Sequence, residues 1–205
     1  MRYLLLISCL IVQLGCRSVY RNLQDTTGDI NALQKFRPAV TTALYRTNVN
    51  IIGKYLSGLL LLKTMPDSSI RVVFSTETGF KFFDLEFAPG GRFKVNYIIK
   101  KMNRRPVITT LRQDFSLVLM LSLDPSAAHI RKDSQYLYYV FPQKKGFYYY
   151  ITNPAGDELV RMERSSKRKP VVEAIMENYS NGMPDTIGIT HKFFTFTIGL
   201  KKLAR

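Results

Sequence analysis

From residue 39 onward turn signals cut the sequence at short intervals. Between the cuts apolar and polar residues alternate, which is the texture of consecutive β-hairpins. Tyr45, Thr47, Val49 and Ile51 alternate with Arg46, Asn48 and Asn50, the period of a half-buried strand. Residues 55–62 are apolar on both faces, which predicts a central strand covered on each side. Further strands are expected over 70–77, 80–87, 93–100, 136–141, 146–152, 158–165, 171–179, 187–192 and 194–201. Met65-Pro66-Asp67-Ser68, Pro89-Gly90-Gly91, Asn153-Pro154-Ala155-Gly156 and Asn181-Gly182-Met183-Pro184 provide turns between them.

One stretch breaks this pattern. In 103–123, Pro106 suits a first helical position after a polar cap such as Asn103, and Val107, Leu111, Phe115, Val118 and Leu119 recur at helical spacing. The apolar stripe has to be buried, and laying the helix across the concave face of a curved sheet hides both apolar sides. About eleven strands and one or two helices therefore imply a mainly β (α+β) fold. It is either a single, strongly curved antiparallel sheet or a closed barrel. The 12 Tyr and 13 Phe, with no Trp, favour strands over helices, and 205 residues suit one cored domain.

The first fifteen residues, MRYLLLISCLIVQLG, place one positive charge at Arg2 ahead of an apolar run. The run is short for a membrane span of about 20 residues and has the layout of a secretory signal. Gln13-Leu14-Gly15-Cys16 then looks like a bacterial lipoprotein processing site, with Gln13 where the common pattern has Leu. Plain secretion, a membrane anchor and an ordinary buried Cys are the competing readings. On the lipoprotein reading, residues 1–15 are a signal peptide, 16–38 a lipidated N-terminus and tether with one short helix around 30–36, and 39–205 the β domain. Cys9 would leave with the signal and Cys16 would be acylated, so no disulfide is expected. Arg17 after the lipidation site resembles outer-membrane sorting, because retention signals there are usually acidic in enteric bacteria.

Thirty Lys and Arg against 15 Asp and Glu give a net charge of +15, which attracts anionic surfaces without choosing among them. Basic residues at strand ends, Lys100, Lys101, Arg104, Arg105, Lys144, Lys145 and Lys167-Arg168-Lys169, invite a nucleic-acid reading. Tyr136, Tyr138, Tyr139, Tyr148, Tyr149 and Tyr150 would be its stacking platforms. Export argues against that partner, and the same charges can meet phospholipid headgroups.

No metal site or cofactor is expected, since His129 and His191 sit on different elements and no Gly-rich phosphate loop precedes a helix. A Gly-x-Ser-x-Gly elbow is also missing. Asp84 and Glu86 share a strand face. They read as salt-bridged surface acids, because a glycosidase pair needs an acid kept neutral by burial. An enzyme is therefore not expected.

Three segments, 55–63, 79–87 and Pro184-Asp185-Thr186-Ile187-Gly188-Ile189-Thr190-His191, together with the apparent lipoprotein start, resemble the lipoprotein-localisation carrier and acceptor superfamily, the LolA and LolB group. The resemblance spans about residues 39–203 and implies an unclosed barrel whose helices lid an apolar cavity for acyl chains. It also implies an envelope lipoprotein on the periplasmic face of the outer membrane. Such a protein binds or transfers a lipid or acylated protein without chemistry. Candidate cavity residues are Leu59, Leu61, Phe83, Leu85, Phe87, Leu111, Phe115 and Val118, which would alternatively fill a core. The other functional reading is a structural or adaptor lipoprotein for an envelope protein partner. The acceptor member presses an apolar loop residue into membrane, and the turns Pro66-Asp67-Ser68 and Ala88-Pro89-Gly90 offer none.

Overall fold

The computed structural model describes residues 18–121 and 123–203. Arg2, Cys9, Cys16 and Arg17, on which the signal and lipidation readings rest, lie outside the described residues. Thirteen strands form one antiparallel sheet: β1 (Gln24–Thr26), β2 (Thr42–Ile51), β3 (Lys54–Thr64), β4 (Ile70–Ser75), β5 (Lys81–Ala88), β6 (Arg92–Ile98), β7 (His129–Lys132), β8 (Leu137–Pro142), β9 (Phe147–Thr152), β10 (Leu159–Ser165), β11 (Pro170–Ser180), β12 (Met183–His191) and β13 (Phe196–Lys202). Their spatial order is β1-β7-β8-β9-β10-β11-β12-β13-β2-β3-β4-β5-β6, so the sheet does not close and β1 and β6 are its edges. The expected count of about eleven is corrected to thirteen. The two additions, β1 and β7, pair with each other through Thr26 and Ile130.

Period-two alternation decides the buried face. Tyr45 stands opposite Leu60, Leu60 opposite Phe74, and Phe74 opposite Phe83, and all four point into the core. On the far side of the sheet Tyr150 aligns with Met162, Met162 with Ala174, and Ala174 with Ile189 in the same way. The resulting concave face is covered by two helices. One is the single α-helix among the described residues, α1 (Arg105–Val118). The other is a 3-10 helix at Ile30–Phe36, started by the Asp29 side chain accepting from the Asn31 N–H and burying Leu33 and Phe36.

The α-helix is shorter at both ends than its sequence pattern. Arg104 rather than Asn103 occupies the cap and makes no side-chain hydrogen bond, with Pro106 in the first turn. At the other end Met120 takes φ 52°. Its N–H donates to the Leu117 carbonyl at 3.2 Å, while the Leu121 N–H donates to Ser116 at 2.9 Å. That is a Schellman closure built without glycine, in which burial of Met120 offsets the strain of a left-handed residue.

The stretch expected to act as a tether has structure from Ser18 onward. Tyr20 and Leu23 pack on the convex face against Tyr138, Val140, Tyr149 and Ile151, and the Tyr20 and Tyr149 rings stack at 4.2 Å. Beneath them Glu163 accepts from the Tyr20 hydroxyl and from Arg161 Nε at 2.7 Å. Arg131 gathers this segment by donating to the Tyr20 and Leu23 carbonyls and pairing with Asp25. The convex face of β3 is less covered than expected, and Leu59 and Leu61 remain half-buried there.

Candidate functional site

A cavity of about 320 Å³ lies between the N-terminal half of α1 and the concave face, near the lower end of the size range of small-ligand sites. Alternation places its wall residues. Val49 and Ile51 come from β2, Leu56 and Leu60 from β3, Phe74 from β4, Phe83 from β5, and Phe196 and Ile198 from β13. Val107, Thr110, Leu111 and Phe115 of α1 form the roof, with Phe115 edge-on to Phe83 at 6.2 Å. Gly58 falls between Leu56 and Leu60 on the inward face of β3. A Cβ there would stand 2.1 Å from the Ser75 carbonyl oxygen and 3.1 Å from the Phe74 ring. Glycine thus lets β4 approach and lets Phe74 lie across the gap.

Few polar groups reach this cavity. Thr47 is spent on the Tyr45 carbonyl at 3.3 Å, and the one charge in the lining is Lys101, exposed beside Met102 and Phe194 at the mouth. Such walls reward burial of hydrocarbon by about 25 cal/mol per Å² and give a polar ligand nothing to pair with.

Three of the residues singled out from sequence, Phe83, Leu111 and Phe115, meet in this cavity. Leu85 and Val118 are buried in the core outside its lining, with Leu85 opposite Val72 and Val95. Phe87 packs on Phe93 at 5.1 Å and lines a second, more polar hollow of about 520 Å³ with Arg92 and Arg112. Leu59 and Leu61 are corrected outright. They point to the convex face, and Leu56 and Leu60 of the same strand hold the wall positions. A uniformly apolar run carries no alternation, and a one-residue slip exchanges the faces of a strand.

Hydrogen bonds from the sheet fix α1 in place. The Tyr148 hydroxyl donates to the Gln113 carbonyl at 3.3 Å and the Tyr150 hydroxyl to Leu117 at 3.1 Å. Burial raises both tyrosines, pushing Tyr148 up to about 12 and Tyr150 well above the ordinary phenol range. Beside them Asp114 meets His191 Nε2 at 2.8 Å, and Arg164 Nη2 lies 3.7 Å from the other carboxylate oxygen. The His191 ring also packs on Phe194 and Phe196, at 4.9 and 4.7 Å, tying the cluster to the cavity mouth. Sequence reasoning missed Asp114. The available signal was an acid interrupting the apolar stripe of Leu111, Phe115 and Val118.

The paired acids of β5 are engaged by bases. Arg71 pairs with Asp84 through both carboxylate oxygens, reaches Glu86 at 3.6 Å, and Lys81 approaches Asp84 at 3.5 Å, so the convex acids are neutralised. Among the described residues no three His, Cys, Asp or Glu side chains gather as a metal site would require.

No protein-family model matches the chain, and no curated protein matches it. Solved structures do match. A LolA superfamily protein from Nitrosomonas europaea aligns over 87% of this chain and 93% of its own, at 9% identity and a TM-score of 0.51. A DUF1329 family protein from Desulfovibrio piger aligns over 85% and 88%, at 10% identity and 0.46. A domain named for outer membrane lipoprotein sorting, from Vibrio parahaemolyticus, aligns over 85% and 90%, at 8% identity and 0.47. The likeness to the first is one of fold: an open, strongly curved antiparallel sheet with helices on its concave face.

Proposed function

We propose that this chain is a non-catalytic envelope lipoprotein. It is anchored through Cys16 at the periplasmic face of the outer membrane and takes an acyl chain of a lipid or acylated protein into the cavity beneath α1. The observation that carries the reading is the lining itself. Aliphatic and aromatic side chains from five strands and a helix enclose about 320 Å³, with a single cation, Lys101, at the mouth. Burial of hydrocarbon then supplies affinity, and Lys101 meets an anionic headgroup. The fold shared with the LolA superfamily protein supports the same direction.

The test is native mass spectrometry with lipid extraction on the full chain purified from the membrane of a Gram-negative host. The expected result is one noncovalently held acyl lipid per chain, lost in a Leu111→Trp variant that fills the cavity. A chain that carries no lipid and refuses added fatty acid and lipopeptide overturns the proposal.

A further inference from the structure

The meander gives the sheet two unlike ends. Because every strand pair is antiparallel, the turns β8–β9, β10–β11, β12–β13, β2–β3 and β4–β5, with the β6–α1 connection, all fall at one end. Seven of the nine exposed large apolar side chains among the described residues sit there. Ile52 and Tyr55, at 74% and 79% exposure, flank the β2–β3 turn, and Phe193, at 54%, caps β12–β13 beside Phe194. Phe80 and Tyr97 extend the row across β4–β6.

Bases interleave with these side chains. Lys144 and Lys145, Lys167 and Lys169, and Lys100 and Lys101 occupy three of the six connections, and Arg104 and Arg105 lead into α1. Lys169 Nζ stands 4.4 Å over the Phe193 ring and Lys81 Nζ 5.9 Å over Tyr97, so cation and aromatic are presented together. The one acid in these connections is Glu77, which faces Arg46 at 3.9 Å. The opposite turns carry acids instead: Asp67, Asp157 and Glu158.

Two more features converge on the same end. The described chain begins there, with the Val19 N–H donating to the Arg168 carbonyl at 2.9 Å and the Ser18 hydroxyl to Lys167 at 3.2 Å, two residues after Cys16. The apolar cavity also opens there, since its mouth residues Lys101, Met102 and Phe194 belong to these connections.

We propose that this end of the sheet is a membrane-docking face. Phe193, Phe194, Ile52 and Tyr55 enter the headgroup boundary of a bilayer while the lysines around them contact anionic phosphates, so the cavity mouth lies against the lipid. The placement rests on reading Cys16 as the anchor, because an acylated residue so close to Ser18 holds this end at the surface. An acyl anchor alone leaves a domain free to tumble. Apolar side chains at the interface and about 1 kcal/mol per basic residue near anionic lipid fix its orientation.

The chain has no Trp, so a single introduced Trp reports its own surroundings. Full chain purified from membranes is placed in vesicles containing brominated lipid, with or without anionic phosphatidylglycerol. One version carries Phe193→Trp and another Ala155→Trp in the opposite β9–β10 turn. The Phe193→Trp reporter is expected to be blue-shifted and strongly quenched, more so with anionic lipid, and the Ala155→Trp reporter unquenched. Adding Lys144→Ala and Lys145→Ala lowers the docked-to-undocked ratio by more than tenfold, roughly fivefold per charge. An unquenched Phe193→Trp reporter on vesicle-bound chain, or equal quenching of the two, overturns docking. Lipid extraction from the same preparations reads the cavity separately, so either idea can fail while the other stands.

Discussion

Asp114 Oδ2 accepts a hydrogen bond from His191 Nε2 at 2.8 Å, and the two side chains are 0% and 1% exposed. This bond joins the middle of α1 to the last residue of β12 in a place water does not reach. His191→Leu leaves a buried carboxylate with only Arg164 at 3.7 Å. The expected loss of stability is about 3–5 kcal/mol. Replacing both residues by Leu should cost less than the sum of the single changes, with a coupling of about 0.5–3 kcal/mol. Urea unfolding of the two single variants and the double variant checks this.

The register of β3 makes a sharp contrast between adjacent leucines. Leu60→Trp reaches into the cavity wall and should abolish lipid co-purification, whereas Leu61→Trp, on the convex face, should leave it unchanged. Native mass spectrometry of the two variants side by side measures the difference. Equal loss of lipid in both would mean that binding does not use this cavity.

The same strand shows where sequence reading stops. β2 alternates Tyr45, Thr47, Val49 and Ile51 against polar neighbours, so its buried face is legible, and α1 announces itself through Pro106 and the Leu111–Phe115 spacing. In β3 the run of leucines fits either face, and only the partners Tyr45 and Phe74 on adjacent strands choose between them. β1 and β7 are too short to show a period. β7 has one apolar residue, Ile130, among His129, Arg131 and Lys132. The cavity was legible only in part for a related reason: Phe83, Leu85 and Phe87 share a face, but where α1 crosses the sheet decides which of them lines open space. Asp114 reads as surface because its partner His191 lies far along the chain.

On the convex face, Tyr20→Phe deletes the hydroxyl that donates to buried Glu163. Hydrogen bonds to charged groups contribute roughly 1.5–3 kcal/mol, and besides this segment β1 has a three-residue ladder to β7 and the Arg131–Asp25 pair. Faster amide exchange confined to residues 18–26 and 130–132 is the expected result. Unchanged protection there would show that ring stacking on Tyr149 suffices.

Alkaline pH should unfold the protein by way of its tyrosines. Burial raises Tyr45, Tyr148 and Tyr150, Tyr148 to about 12, while the unfolded chain ionises near the ordinary phenol value of 10.0. A raised folded value means that this stability is complete below pH 10 and drains away between about 10 and 12 for Tyr148, as the unfolded state loses protons first. Absorbance titration should show the exposed tyrosines ionising gradually and the buried ones ionising together with loss of near-ultraviolet circular dichroism. Gradual ionisation of every tyrosine in a folded protein would contradict the burial.

β13 sits between β12 and β2, and it follows every other described strand in sequence. Two partial meanders, β2–β6 and β7–β12, can grow by neighbouring hairpins as the chain emerges, but each then waits with an open edge, one at β2 and one at β12. Only Phe196–Lys202 closes the gap, pairing Ile198 with Ile189 on one side and Val49 on the other. Completion is therefore a late, long-range event. A polypeptide delivered in sequence order spends its most aggregation-prone interval with both edges bare, waiting for the seven residues of β13, which follow every other described strand.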